Sequence, residues 1–211
     1  MGQQVTQQAE VLIEEISISL PEKVGILGGT FNPPHLAHMI IAEQVLNQLD
    51  LDMILFMPTS TPPHKDEKEA IDGETRLLMT QLAISQNPHF QIEAYEVSRG
   101  GKNYTFDTMT DLQEMYPETT FYFIIGADMV EDLPNWYRIE ELANMVQFVA
   151  VSRPGYNLET NYPVITIDTP NVDISSSEIR QMVASGRSIR YLVDDEVRYF
   201  IEEEGLYHDE S

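Results

Sequence analysis

A chain of 211 residues with 42% apolar side chains can bury a substantial core, and it holds no cysteine, which excludes disulfides and thiolate metal sites. Its 12 lysines and arginines against 35 aspartates and glutamates leave a formal net charge of −23, which argues against nucleic-acid binding, since that needs cations to neutralise phosphates. No run approaches the roughly 18 apolar residues of a membrane helix, and residues 1–22 lack the pattern of a secretory signal, so a cytoplasmic protein with no membrane partner is expected.

Residues 1–22 are Gln-rich, then amphipathic over 11–20, and read as an N-terminal extension; residues 23–211 read as a single domain. The first strand-like run, 24–27, ends in Gly28-Gly29 and is followed by a helical pattern over 37–49. A second run at 53–57 leads into a long polar loop, 59–72, which has the length and composition of a mobile lid. Then come a helix over 73–85, a strand at 90–95, a helix over 105–115, a strand at 121–125 and a helix over 139–145. Strands at 148–151 and 164–167 and helices over 175–184 and 194–203 complete the pattern. This alternation predicts an α/β fold, a Rossmann-like doubly wound and mostly parallel sheet with helices on both faces. Ligands of such sheets bind beyond the carboxyl ends of the strands, where the strand order reverses, so the turns after strands carry the information.

The turn after the first strand reads Gly28-Gly29-Thr30-Phe31-Asn32-Pro33-Pro34-His35-Leu36-Ala37-His38. Strand, glycine turn and helix start together make an anion site, because backbone N–H groups point outward there and the helix dipole favours negative charge. Neither G-x-G-x-x-G nor G-K-[ST] is present, so this is not a dinucleotide fingerprint or a Walker loop. His35 and His38, three apart, would share one helix face. They could ligate a metal, but no third ligand or zincin glutamate accompanies them, and no metal site is assigned. They could also be structural; the phosphate-rich setting favours contact with phosphate.

A second constellation, Ile174-Ser175-Ser176-Ser177-Glu178-Ile179-Arg180, contains a capping box formed by Ser175 and Glu178. Capping leaves Ser176 and Arg180 unexplained. A helix start with hydroxyls and an arginine one turn in is a second phosphate cradle. Two cradles on one sheet suggest a triphosphate, or two phosphorylated substrates meeting.

Together these segments resemble the nucleotidyltransferase superfamily with an H-x-G-H motif and a downstream I-S-S-T-x-x-R motif. Further matches resemble the bacterial nicotinate mononucleotide adenylyltransferases. They are Pro62-Pro63-His64-Lys65, Tyr104-Thr105-Phe106-Asp107-Thr108, Ile125-Gly126-Ala127-Asp128, Leu133-Pro134-Asn135-Trp136-Tyr137 and Ser152-Arg153-Pro154-Gly155-Tyr156, in that order. The resemblance implies transfer of AMP from ATP to nicotinate mononucleotide, giving nicotinate adenine dinucleotide and pyrophosphate, with Mg²⁺ arriving on the ATP. It implies that His35, His38 and Arg180 act on the transferring phosphates. Gly28, Gly29, Thr30, Phe31, Lys65, Gly126, Arg153, Ser175 and Ser176 would bind ATP. Thr105, Asp128, Trp136 and Tyr137 would bind nicotinate mononucleotide, the indole stacking on the pyridinium ring and the Thr105 and Tyr137 amides holding the carboxylate.

The chain departs from that pattern at Ala37, where glycine is usual between the histidines, and at Asn32, where aspartate is usual. The alternative acceptors are nicotinamide mononucleotide and phosphopantetheine. A catalytically silent nucleotide sensor and an acidic interaction protein are the readings from other classes. Homo-oligomerisation is left open.

Overall fold

The computed structural model describes residues 19–60, 71–151 and 160–208. Six strands form one sheet: β1 (Lys23–Gly29), β2 (Met53–Pro58), β3 (Phe90–Ile92), β4 (Thr120–Gly126), β5 (Gln147–Val151) and β6 (Val164–Ile167). Their order is β3-β2-β1-β4-β5-β6, and every neighbouring pair is parallel. The doubly wound sheet expected from sequence is thus present, and it is parallel throughout. The chain winds from β1 to one edge, returns to β4 and winds to the other, so the order reverses between β1 and β4. Those strands end at Gly29 and Gly126, and the crevice between them is where such a sheet takes its ligand.

The helices are α1 (Leu36–Gln48), α2 (Gly73–Ile84), α3 (Tyr95–Arg99), α4 (Thr105–Met115), α5 (Ala127–Val130), α6 (Ile139–Met145), α7 (Ser176–Ala184) and α8 (Asp195–Glu203), with a 3₁₀ turn at Leu133–Asn135. Successive strand residues point to opposite faces. Val24 and Ile26 of β1 and Phe121, Phe123 and Ile125 of β4 therefore pack with Phe106, Met109 and Leu112 of α4. Leu27 and Ile124 face the other way, onto Ala42, Val45 and Leu46 of α1. Burial on both faces explains why these strands read as near-continuous apolar runs. A third cluster joins Met79 of α2 to Ile179 and Val183 of α7, Val197 and Ile201 of α8, and Tyr207. The last part of the chain is thereby fastened beside the first half of the sheet.

The strand expected to run to residue 95 stops at Ile92. Glu93 N–H still donates to Phe56 O, but the Glu93 carboxylate accepts from Tyr95 N–H at 2.8 Å and the backbone turns into α3. Short helices such as α3 and α5 leave no periodic trace in the sequence, which is why neither was expected. Part of the expected extension belongs to the core: Leu20 packs on the first cluster, and Pro21 O and Glu22 O accept from Thr119 Oγ1 and Thr120 N–H. Most of the amphipathic stretch 11–20 and the loop 61–70 lie outside the described residues. Among the described residues no helix is long and apolar enough to cross a membrane.

Candidate active site

The Gly28-Gly29 turn leaves β1 at the switch point. A Cβ on Gly29 would press against the Phe31 ring at 3.1–3.3 Å, whereas one on Gly28 would meet only Phe123 Cζ, at an ordinary 3.7 Å. Packing within the protein thus explains the bare backbone at Gly29 but not at Gly28, where an approaching ligand would. Phe31 adopts a left-handed φ of 50° and is buried, its ring edge-on to His38 at 4.9 Å. Strain of this kind at a non-glycine residue clusters at functional sites.

His35 is the N-cap of α1 rather than a helical residue, and helix geometry begins at Leu36, one residue before the sequence pattern suggested. The two imidazoles nevertheless share one face: the rings stack with centroids 3.6 Å apart and planes within 20°. His35 N–H donates to His38 Nδ1 at 3.1 Å. Since that nitrogen accepts, the neutral His38 ring carries its proton on Nε2.

The second constellation folds onto the first. Ser175 caps α7, its hydroxyl accepting from Glu178 N–H at 3.2 Å and donating to Glu178 Oε2 at 3.1 Å; the serine cap is present, while the glutamate meets the hydroxyl rather than the Ser175 backbone N–H of the expected capping box. Ser176 Oγ donates to Pro33 O at 2.8 Å, and the buried Arg180 donates through Nη1 to Asn32 O at 3.0 Å. Both therefore reach the turn that carries the histidines. Asn32 is buried, and its Oδ1 accepts from Tyr207 Oη. Asn32 thus ties the turn to Tyr207.

On the other side of the crevice, Thr105 is the first residue of α4, among the N–H groups that a helix leaves without an internal acceptor. The Tyr137 ring meets the side chains on either side of Thr105, those of Tyr104 at 4.8 Å and Phe106 at 6.1 Å. Trp136 is half-buried, edge-on to Phe123 at 6.1 Å and to Phe148 at 6.0 Å. It is anchored against the first core cluster. Gly126 is the N-cap of α5, and a Cβ there would overlap Asp128 Oδ1. Asp128 does not cap its helix, the structural role open to it from sequence alone; it sits exposed in the first turn. Lys65 and Arg153 lie outside the described residues.

The cytidylyltransferase-like family pattern matches residues 26–182. The chain belongs to that family. A protein of Enterococcus faecalis named "probable nicotinate-nucleotide adenylyltransferase" is 52% identical over 209 residues, covering 98% of this chain and 95% of its own. One of the same name from Geobacillus thermodenitrificans is 53% identical over 185 residues, covering 88% and 86%. These relatives place the chain among the nicotinate-nucleotide adenylyltransferases, as the motifs implied. The nicotinic acid mononucleotide adenylyltransferase of Plasmodium falciparum, solved with NaAD, shares the fold at a TM-score of 0.75 and 20% identity, over 89% of this chain and 98% of that one.

Three features of this adenylyltransferase fold escaped the sequence reading. Arg76 of α2 is 1% exposed and donates to three backbone carbonyls. Its spacing to Met79 and Thr80, both buried, put it on the buried stripe of α2, and that was the available signal. Lys102 Nζ lies 4.9 Å from the Tyr104 ring centre and Arg138 Cζ 4.0 Å from that of Phe106, so two cations border the Thr105–Tyr137 patch. Arg138 holds a left-handed φ of 53° and is bonded to Glu141, which fixes its guanidinium. The Asn32–Tyr207 bond had no local signature at all.

Proposed function

We propose that the chain transfers the AMP moiety of ATP to nicotinate mononucleotide, with the triphosphate seated on the Gly28–His38 turn and the acceptor between Thr105 and Trp136-Tyr137. A phosphate oxygen of the mononucleotide attacks the α-phosphorus of ATP. The bond from that phosphorus to the bridging oxygen breaks, and pyrophosphate leaves. No covalent enzyme intermediate is required, so the protein's part is to align the reactants and stabilise charge.

His38 is suited to donate from Nε2 to oxygens on the transferring phosphorus, and the stacked His35 keeps it in place. Arg180 and Ser176 would hold the β- and γ-phosphates; a guanidinium has five N–H donors, so the bond to Asn32 O does not exhaust it. The Gly28–Phe31 backbone would line the nucleotide with Lys65, Gly126, Arg153 and Ser175. Asp128 would take a ribose hydroxyl. Amides at Thr105 and Tyr137 would take the nicotinate carboxylate, which selects the acid over the amide, and Trp136 would face the pyridinium ring.

Mg²⁺ is expected to accompany ATP. Among the described residues no group of three or more His, Cys, Asp or Glu is gathered to hold a metal, so the ion would be held by phosphates and water. A cytoplasmic setting, where ATP is abundant and a cysteine-free chain has no redox demand, belongs to the same reading.

The observation that carries this reading is the convergence of Ser176 and Arg180 on the turn bearing His35 and His38, across 143 and 148 residues of sequence. The test is pyrophosphate release with the acid and amide mononucleotides in parallel, with His38→Ala as control. A higher kcat/KM for the amide would overturn the acceptor assignment. Nucleotide binding without turnover would support a sensor.

A further inference from the structure

Arg76 makes three hydrogen bonds, each to the backbone of a different segment. Nη1 donates to Thr30 O at 2.8 Å, in the turn after β1. Nη2 donates to Ser60 O at 2.8 Å, just past β2. Nε donates to Ile71 O at 3.0 Å, on the approach to α2. The side chain sits among Asp72, which caps α2, and Tyr207; burial lowers its pKa and Asp72 counters that. A buried charge is costly, and a well-packed apolar side chain often serves stability as well or better. The fork geometry, matched to carbonyls of three separate segments, calls for another explanation.

Peptide planarity supplies it. In a trans peptide the C=O and the following N–H point in opposite directions. Arg76 pulls the Thr30 carbonyl inward, so the Phe31 N–H is turned the other way. One residue earlier, Thr59 N–H holds the Gly29 carbonyl at 2.9 Å, which turns the Thr30 N–H outward as well. Two successive amides are thereby set as donors beside the bare Gly28 backbone, the arrangement that binds phosphate oxygens. Phe31 at its left-handed φ is the residue that this anchoring keeps in place.

We propose that Arg76 is a positioning residue for ATP: without touching the nucleotide, it fixes the orientation of the Thr30–Phe31 peptide so that the turn presents its amides to the phosphates. This rests on the assignment of ATP to the Gly28–His38 turn. Arg76 differs from the residues already assigned, since it acts through the backbone and from a buried helix face.

The test uses Arg76→Lys, which keeps the charge and most of the stem but cannot reach three carbonyls at once. The expected result is a KM for ATP raised about tenfold or more, with the KM for the mononucleotide changed less than about twofold and the circular dichroism intact. An unchanged KM for ATP in a folded variant would make Arg76 merely structural, and an equal rise in both KM values would overturn the assignment to ATP. If Arg76→Lys does not fold, the wild-type protein labelled with ¹⁵N carries the test through the Arg76 Nε–H resonance. That signal should move on adding a non-hydrolysable ATP analogue and stay still with the mononucleotide; no movement with the analogue refutes the proposal. His38→Ala runs alongside. Should it retain full turnover, the site assignment itself fails; should it lose turnover while Arg76→Lys keeps its KM for ATP, only the role of Arg76 falls.

Discussion

Tyr207 Oη donates to Asn32 Oδ1 at 2.8 Å, a bond that joins the end of the chain to the turn after β1 across 175 residues. Tyr207 itself is buried in the cluster of α2, α7 and α8 and takes a left-handed φ of 66°. The C-terminal segment therefore braces the candidate site, and Leu36 N–H bonding to Leu192 O adds a second strut at the start of α1. Tyr207→Phe removes the hydroxyl that bonds Asn32 and keeps the ring packed in the cluster. It should lower stability by about 1 kcal/mol, read from urea unfolding midpoints at constant slope.

Gly28 gives the cleanest separation of folding from ligand binding. Because a Cβ there meets only Phe123 Cζ at 3.7 Å, Gly28→Ala should unfold within about 1 kcal/mol of the parent while its KM for ATP rises about tenfold or more. Gly29→Ala, pressed against the Phe31 ring, should lose stability instead. Equal ATP affinity in Gly28→Ala would mean that no ligand approaches this backbone.

His38→Ala should lower kcat/KM by roughly 10²–10⁴, the range seen for loss of one preorganised donor to a charged transition state. Stability should change little by comparison, since His38 is only half-buried and its side chain makes ring contacts with Phe31 and His35. Single-turnover rates alongside urea unfolding would separate the two effects.

Ala37 lies between the histidines, where the resembling family carries glycine. Its methyl is 3% exposed and lines a crevice with Ile40, Ile41 and residues 169–172. The added carbon packs against protein, so it is tolerated in the fold. Ala37→Gly should cost about 1 kcal/mol of stability through helix propensity and raise kcat/KM by less than about a hundredfold. A larger gain would show that the methyl obstructs the nucleotide.

Burial pushes the carboxyl groups of Glu96 and Glu93 above the usual carboxylate range, against the bonds that Glu96 accepts from Thr108 and Glu93 from the Tyr95 amide. The folded protein thus binds more protons than the unfolded chain once pH exceeds their ordinary value of 4.5. Their contribution to stability is complete below that value and is lost as pH rises through the folded pKa values. Glu96→Gln should flatten the fall in stability above that pH, measured by urea unfolding across a pH series. An unaltered slope would place Glu96 at its ordinary value.

Much of this arrangement was legible in the residues themselves. Strand and helix periods of 2 and 3.6 marked the long elements, and chemistry-bearing residues in the turns after strands marked the site. The boundary after β3 and the short helices α3 and α5 were not legible, because a few residues carry no period. The burial of Asn32 was not legible either, because its bond partner Tyr207 lies 175 residues away.

The sequence by itself determined the fold class, the glycine turn with its two histidines and the serine cap at Ser175, since each depends on patterns along neighbouring residues. Only the tertiary structure decided that Ser176 and Arg180 close on that same turn, that Tyr207 braces it, and that Arg76 holds three segments of backbone together. Those are single hydrogen bonds between residues tens to hundreds of positions apart. Such bonds form because doubly winding the sheet brings the loops together beyond the carboxyl ends of its strands, and no local pattern encodes which donor will meet which carbonyl there.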